Sequence, residues 1–140
     1  MPSATFTPVY ALVADVAHKK HNLGSDTLKV ALTNTAPTQS NTVLANITEV
    51  SYTYCSSRTL TISSSGQTSG VYKLVIADLT LTASGGSVGP WQYAVVYNDT
   101  ATNDELIGYL TYPASITMYD ADTFLLDFSS LNGMLQFVIT

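Results

Sequence analysis

Hydrophobic residues near the start of the chain recur with the period of a helix. Val9, Leu12, Val13 and Val16 fall at positions i, i+3, i+4 and i+7, which places one apolar stripe along a helical surface. The pattern predicts a single short helix within an N-terminal arm of about residues 1–20.

The polar residues around this stripe predict where the helix begins and ends. Thr7-Pro8 supplies an N-cap residue and a proline for the first turn, and Gly24 permits the chain to turn away afterwards. The segment 18–21, which contains both histidines, brings positive charge to the helix C-terminus, where the dipole favours it. We therefore expect His18 and His21 to lie on a solvated helix end rather than on a metal ion.

Beyond this helix the hydrophobic period changes from 3.6 to two. Trp91, Tyr93, Val95 and Tyr97 form the clearest alternation in the chain and predict a strand. Residues 64–70 are polar and predict a loop. Further short strands are predicted at 27–32, 58–63, 71–77, 79–83, 106–112, 116–119, 123–128 and 134–139.

The spacing of these segments predicts the fold class. Eight or nine short strands, separated by turn signals every 8–12 residues, are typical of an antiparallel sandwich or barrel. A chain of 140 residues is long enough for one such domain and too short for two, so residues 1–140 are predicted to form a single all-β domain.

Composition narrows the possible partners. Charged residues make up only 11% of the chain, the net charge is −5, and 20 Thr and 15 Ser supply a quarter of all residues. The acidic balance argues against nucleic acid and against anionic membranes, and no run of apolar residues is long enough to span a bilayer. The start of the chain does not read as a signal peptide, so we expect synthesis in the cytoplasm. A surface poor in charge is suited to lasting contact with another protein.

Residues that carry catalytic or metal chemistry are sparse. Cys55 is the only cysteine and is expected to be a half-buried thiol. Asp120 and Asp122 are expected to serve a turn, because no calcium-loop spacing surrounds them. Glu49 and Glu105 could act as an acid pair only if the fold brought their carboxyl groups together. We therefore expect a non-enzymatic protein without a cofactor or a metal.

Tyrosine is unusually frequent, and it leaves three interpretations open. The rings could fill the core, form a protein interface, or line a sugar-binding surface, because tyrosine combines a large apolar area with a polar tip. The residues concerned are Tyr52, Tyr54, Tyr93, Tyr97, Tyr109, Tyr112 and Tyr119, together with Trp91.

Several segments resemble a group of small structural proteins of tailed bacteriophages. They are SDTLKVALTNTAP at 25–37, VLANITEV at 43–50, GPWQYAVVYND at 89–99, LIGY at 106–109, DTF at 122–124 and NGML at 132–135. The resemblance covers nearly the whole chain from about residue 9, and its motifs are structural rather than catalytic.

The resemblance implies a capsid decoration, or cement, protein with a jelly-roll-like β-sandwich. Such a protein would lie on the outer surface of the virion, after synthesis in the host cytoplasm, and would bind the major capsid protein across subunit junctions. We expect a homo-oligomer, with a two-fold dimer favoured. The alternatives are a receptor- or carbohydrate-binding module of a head fibre or tail tip, and a β-sandwich hydrolase with an acid pair in a cleft.

Both ends of the chain are candidate contacts with neighbouring subunits, because each carries apolar, strand-like residues. We expect partner contacts from Thr5, Phe6 and Tyr10 at one end, and from Phe137 and Ile139 in the terminal strand at the other.

Overall fold

The protein is described by a computed structural model that covers residues 4–140. Within this range the chain forms nine strands and one α-helix, and the all-β prediction with a short N-terminal helix is confirmed. The helix α1 spans Leu12–Ala17. The strands are β1 (Thr5–Pro8), β2 (Leu28–Thr33), β3 (Ile62–Thr68), β4 (Val71–Ile76), β5 (Leu79–Thr82), β6 (Val88–Asn98), β7 (Leu106–Met118), β8 (Thr123–Leu126) and β9 (Leu135–Val138).

The strands assemble into antiparallel sheets of a sandwich. The largest has the order β1-β7-β6-β2, a second has the order β3-β4-β9, and β5 pairs with β8. One hydrophobic cluster joins residues from all of these sheets. At its centre Trp91, Tyr112 and Phe124 contact one another edge to face, with ring centroids 5.1–5.7 Å apart. This geometry is favoured by the aromatic quadrupoles.

The N-terminal helix is shorter than its apolar stripe suggested. Thr7 and Pro8 do not cap it, because both belong to β1 and pair with Tyr109 and Gly108 of β7. The N-cap is Ala11, which makes no side-chain capping bond. The tertiary pairing with β7 therefore overrides the local capping signal.

Two further boundaries differ from the prediction. The polar segment 64–70 is not a loop, because most of it forms β3, which pairs with β4 through a two-residue turn at Ser69 and Gly70. Both turn residues have positive φ, as a type I′ hairpin turn requires. The segments 106–112 and 116–119 are one strand, β7, which passes Pro113 where the pairing with β6 is irregular. Such an irregularity tolerates a proline that lacks an N–H.

Candidate functional site

One face of the four-stranded sheet carries a row of hydroxyl groups, which is accessible at the β1 end and buried at the β2 end. Thr5, Thr111, Tyr93 and Thr33 lie directly opposite one another on β1, β7, β6 and β2. Residues that are paired across antiparallel strands share a face, so these four side chains form one row across the whole sheet. Thr5 is exposed, Tyr93 and Thr111 are half-buried, and Thr33 at the far end is buried.

A second row lies beside the first on the same face. It contains Thr7, Tyr109, Val95 and Ala31, again one residue from each strand. Thr7 and Tyr109 are half-buried, whereas Val95 and Ala31 are fully buried. None of the eight positions in these rows carries a charge. The intervening residues of each strand point to the opposite face, which packs against the core.

Tyr10 extends this surface beyond the end of β1. Its side chain is 66% exposed, and its backbone N–H donates to the carbonyl of Gln39 at 2.9 Å. Burial raises the pKa of Tyr109, and the neighbouring hydroxyls of Tyr10 and Tyr93 add to the effect. Tyr93 and Tyr109 are diagonal neighbours on this face, because their partners across β6 and β7 are Thr111 and Val95. We refer to Thr5, Thr7, Tyr10, Tyr93, Tyr109 and Thr111 as the hydroxyl face.

The five residues predicted to contact partners fall into two separate groups. Thr5 and Tyr10 belong to the hydroxyl face. Phe6 points the other way, toward the core, and its ring covers Gly108, where an added Cβ would lie 2.5 Å from the Phe6 ring. Phe6 thus fixes β1 to the sheet. Phe137 and Ile139 lie elsewhere, at the strand β9.

Strand β9 forms one edge of the sheet β3-β4-β9. Phe137 is half-buried and stacks on Tyr72, with ring centroids 5.6 Å apart and an interplanar angle of 19°. Ile139 is 84% exposed and Val138 is 54% exposed. The edge carries no lysine or proline of the kind that commonly protects exposed strands.

The prediction of a solvated His21 is wrong. His18 is exposed, but His21 is only 6% exposed, and its Nδ1 lies 3.0 Å from Nδ2 of Asn98. The Oδ1 atom of Asn98 accepts hydrogen bonds from the N–H groups of Thr100 and Ala101, which fixes the orientation of the amide. Nδ2 of Asn98 is consequently a donor, Nδ1 of His21 is the acceptor, and the imidazole is neutral with its proton on Nε2.

Burial lowers the pKa of His21 and favours this neutral form. The carboxylates of Asp15, Glu105 and Asp26 oppose the shift, as does the backbone of Leu106, which lies near the ring. Nε2 of His21 is buried without a partner of hydrogen-bonding geometry among residues 4–140. Burial of the ring has the largest effect on the pKa of His21.

Two buried carboxylates share one lysine beside His21. Asp15 is 5% exposed and Glu105 is 3% exposed. Nζ of Lys20 lies 3.1 Å from Oδ1 of Asp15 and 4.0 Å from Oε1 of Glu105. Glu105 also accepts a hydrogen bond from the backbone N–H of Asn103 at 3.2 Å. No local pattern in the sequence marks this cluster, because its members come from α1, the following turn and the β6–β7 connection.

The remaining candidates for catalysis serve the fold. Glu49 accepts a hydrogen bond from the Tyr52 hydroxyl at 2.7 Å and lines a different depression from Glu105. Asp120 and Asp122 accept hydrogen bonds from backbone N–H groups at a turn, which confirms the prediction that they serve a turn. Cys55 is half-buried as expected, and burial raises the pKa of its thiol. Across residues 4–140 no three His, Cys, Asp or Glu side chains are grouped to hold a metal ion.

The aromatic residues do not form one exposed row. Trp91, Tyr97 and Tyr112 are buried, and Tyr54 and Tyr119 are exposed. The other three of the set, Tyr52, Tyr93 and Tyr109, are half-buried.

Comparisons with known proteins supply no relative from which a function could be transferred. No family model matches the chain, and no curated protein or solved structure matches it. Within the described part of the chain, no helix has the length and apolar character needed to cross a membrane.

Proposed function

We propose that the chain is a non-enzymatic structural protein of a phage virion, which binds the outer surface of the head and stabilises contacts between major capsid protein subunits. The observation that supports this proposal best is the hydroxyl face. It is an uncharged sheet surface of threonine and tyrosine that includes two of the five residues expected to contact partners, Thr5 and Tyr10.

The chemistry of the hydroxyl face is suited to a lasting protein contact. Desolvating a hydroxyl costs far less than desolvating a charge, and a new hydrogen bond across the interface offsets that cost. Tyr93 and Tyr109 are already half-buried, so their rings lose less conformational entropy on binding than fully mobile side chains would. Tyrosine is also enriched in interface cores, where charged residues are depleted.

Repetition on a capsid lattice would strengthen modest individual contacts. A subunit that bridges two capsid proteins gains from the high effective concentration of its second contact. The net charge of −5 would also keep the free protein away from viral DNA during assembly. Exposed apolar residues of the second sheet, Val138 and Ile139, provide further contact area, and a two-fold related copy of the chain is the partner we favour there.

The decisive experiment is a copy count on purified virions. Quantitative mass spectrometry should find the protein near-stoichiometric with the major capsid protein. A count of a few copies per particle would contradict a role as cement and would place the protein on a vertex, a fibre or the tail. Its absence from virions would exclude both the cement role and a role on a vertex, a fibre or the tail.

Charge substitutions then test the hydroxyl face itself. Thr5→Lys and Tyr10→Lys place an ammonium group on an uncharged surface at two exposed positions, and we expect both to reduce occupancy of capsids that lack the protein. Ser64→Lys, at an exposed position of β3, is the matched control and should bind normally. Full occupancy by the Thr5 and Tyr10 variants would rule out this face as the contact.

A receptor- or carbohydrate-binding module is the second candidate, and one arrangement favours it. The backbone carbonyl of Tyr54 accepts from Ser84, and the carbonyl of Ala83 accepts from Ala121, so the loops that carry exposed Tyr54 and Tyr119 meet at one end of the fold. If virions carry few copies, glycan binding that is lost in Tyr54→Ala and Tyr119→Ala would support this candidate instead.

A further inference from the structure

A cleft of about 1100 Å³ separates the N-terminal segment from the second sheet. One wall is formed by the end of α1, the turn after it and the β6–β7 connection. The opposite wall is formed by Ser65, Tyr72 and Phe137 on β3, β4 and β9. This volume lies just above the range of ordinary ligand sites, roughly 300–1,000 Å³, and is large enough for a side chain with part of its backbone.

The second wall presents a fixed aromatic surface. Tyr72 and Phe137 stack on one another, and the Tyr72 hydroxyl lies 2.7 Å from Oγ of Ser65. Both rings are half-buried, so part of each is accessible from the cleft. A cation positioned over the face of an aromatic ring is attracted by its quadrupole.

The first wall presents a carboxylate without a cationic partner. Oδ2 of Asp26 accepts hydrogen bonds from Asn98 Nδ2 at 2.7 Å and from the backbone N–H of Asn22 at 2.8 Å. Among residues 4–140, no Lys, Arg or His forms an ion pair with Asp26, and Oδ1 of Asp26 accepts no hydrogen bond.

The two lysines of this wall do not neutralise Asp26. The ammonium group of Lys20 is paired with Asp15 and Glu105, and Lys19 is exposed and directs no ion pair to any carboxylate of the described chain. Two carboxylates, Asp26 and Glu105, and the two lysines line the cleft, and of these carboxylates only Asp26 is not paired with Lys20.

We propose that this cleft binds a lysine or arginine side chain of a partner polypeptide, with the cationic group paired to Asp26 and its stem against Tyr72 and Phe137. Charge complementarity identifies the occupant, because the free carboxylate and the aromatic surface both favour an organic cation. The polar groups of Thr100, Thr102 and Asn103 on the rim can hydrogen-bond to the backbone of the bound segment. This inference goes beyond the proposed function and does not depend on it.

The test uses a defined probe and the intact protein. The probe is a blocked peptide, acetyl-Gly-Ser-Arg-Ser-Gly-amide, titrated into isotopically labelled protein and followed by the amide NMR signals. We expect saturable shifts at Asn22, Tyr72 and Phe137, which weaken as salt is added. The same peptide with neutral citrulline in place of arginine should bind about fivefold more weakly or worse. Equal binding of the two peptides, or shifts confined to another surface, would overturn the proposal.

Matched variants locate the charge that is recognised. Asp26→Asn retains an oxygen for the bonds from Asn22 and Asn98 but removes the negative charge, and it should weaken arginine-peptide binding by about fivefold. Asp120→Asn, an exposed carboxylate outside the cleft, should leave binding unchanged. Phe137→Leu should weaken binding while the protein stays folded. Unchanged affinity in Asp26→Asn would contradict the assignment.

Two other ligands serve as competing probes. Binding of spermidine in the cleft without binding of the arginine peptide would identify a free polyamine as the ligand and would overturn the assignment to a partner polypeptide. Binding of a neutral oligosaccharide at the same residues, insensitive to Asp26→Asn, would overturn recognition of a cation. Failure of the peptide test leaves the copy number on virions unaffected, so the two proposals are tested separately.

Discussion

Nδ1 of His21 accepts a hydrogen bond from Nδ2 of Asn98 at 3.0 Å and joins two side chains that are 77 positions apart. The bond holds the turn after α1 against the end of β6. It exists only while Nδ1 is unprotonated, because the Asn98 amide has a donor, not an acceptor, at that position. The contact therefore links the protonation of one residue to the packing of the N-terminal segment.

The first prediction concerns stability in mild acid. Burial lowers the pKa of His21 in the folded protein below its ordinary value near 6.5, so protons bind more strongly to the unfolded chain. The stabilisation is fully present above pH 6.5 and is lost as the pH falls through the folded-state pKa. Urea unfolding between pH 7.5 and 5 should show a falling free energy of unfolding. His21→Asn should reduce that slope, whereas the exposed control His18→Asn should retain the wild-type slope.

The second prediction concerns the attachment of β1. An added Cβ at Gly108 would lie 2.5 Å from the Phe6 ring and 2.6 Å from the Thr7 carbonyl oxygen, so the strand must move. We expect Gly108→Ala to lower the free energy of unfolding by about 1–3 kcal/mol. Gly66→Ala in β3 meets no atom within 4 Å and is the control, with an expected change within about 0.5 kcal/mol. Chemical denaturation measures both, and equal effects would contradict the steric explanation.

Strands β6 and β3 show which features of the fold the sequence can predict. Alternation of aromatic and branched residues from Trp91 to Tyr97 predicted β6, and the structure confirms a strand there, with a register irregularity between Trp91 and Tyr93. It failed for β3, whose residues are almost all exposed, so no apolar alternation marks the strand. Strand β3 was recognisable only from its pairing with β4.

The candidate surfaces were predictable only in part. The abundance of threonine and tyrosine was visible, but the row that joins Thr5 to Thr33 depends on the register of three strand pairs. A slip of one residue would turn each side chain to the other face. The burial of His21 had no local signal either, since Asn98 and Glu105 are distant in sequence.

The third prediction concerns the shared lysine. Removing the ammonium group of Lys20 leaves Asp15 and Glu105 buried beside each other without a cation. We expect Lys20→Met to lower the free energy of unfolding by about 1–3 kcal/mol, because uncompensated buried charge costs more than a lost surface pair. Lys19→Met, its exposed neighbour, should change stability by about 0.5 kcal/mol or less. Thermal unfolding measures the stability of both variants. Equal stabilities would mean that Lys20 contributes no more than an exposed surface charge.

The last prediction concerns the alkaline limit of the fold. Burial raises the pKa of Tyr112 to about 12, with a further contribution from Asp127, because the phenolate would lose its hydration among Trp91 and Phe124. A raised folded-state pKa means that the stabilisation is complete below the unfolded value near 10 and is lost as the pH rises through 12. Tyr112→Phe keeps the ring and removes the ionisable group, so its free energy of unfolding should fall less between pH 9 and 12 than that of the wild type. Tyr10→Phe changes an exposed ring and should follow the wild-type curve. Phenolate absorbance at 295 nm, recorded during the same pH titration, reports which tyrosines ionise late. If Tyr112→Phe shows the same late-titrating absorbance as the wild type, Tyr112 does not have a raised pKa and this explanation is wrong.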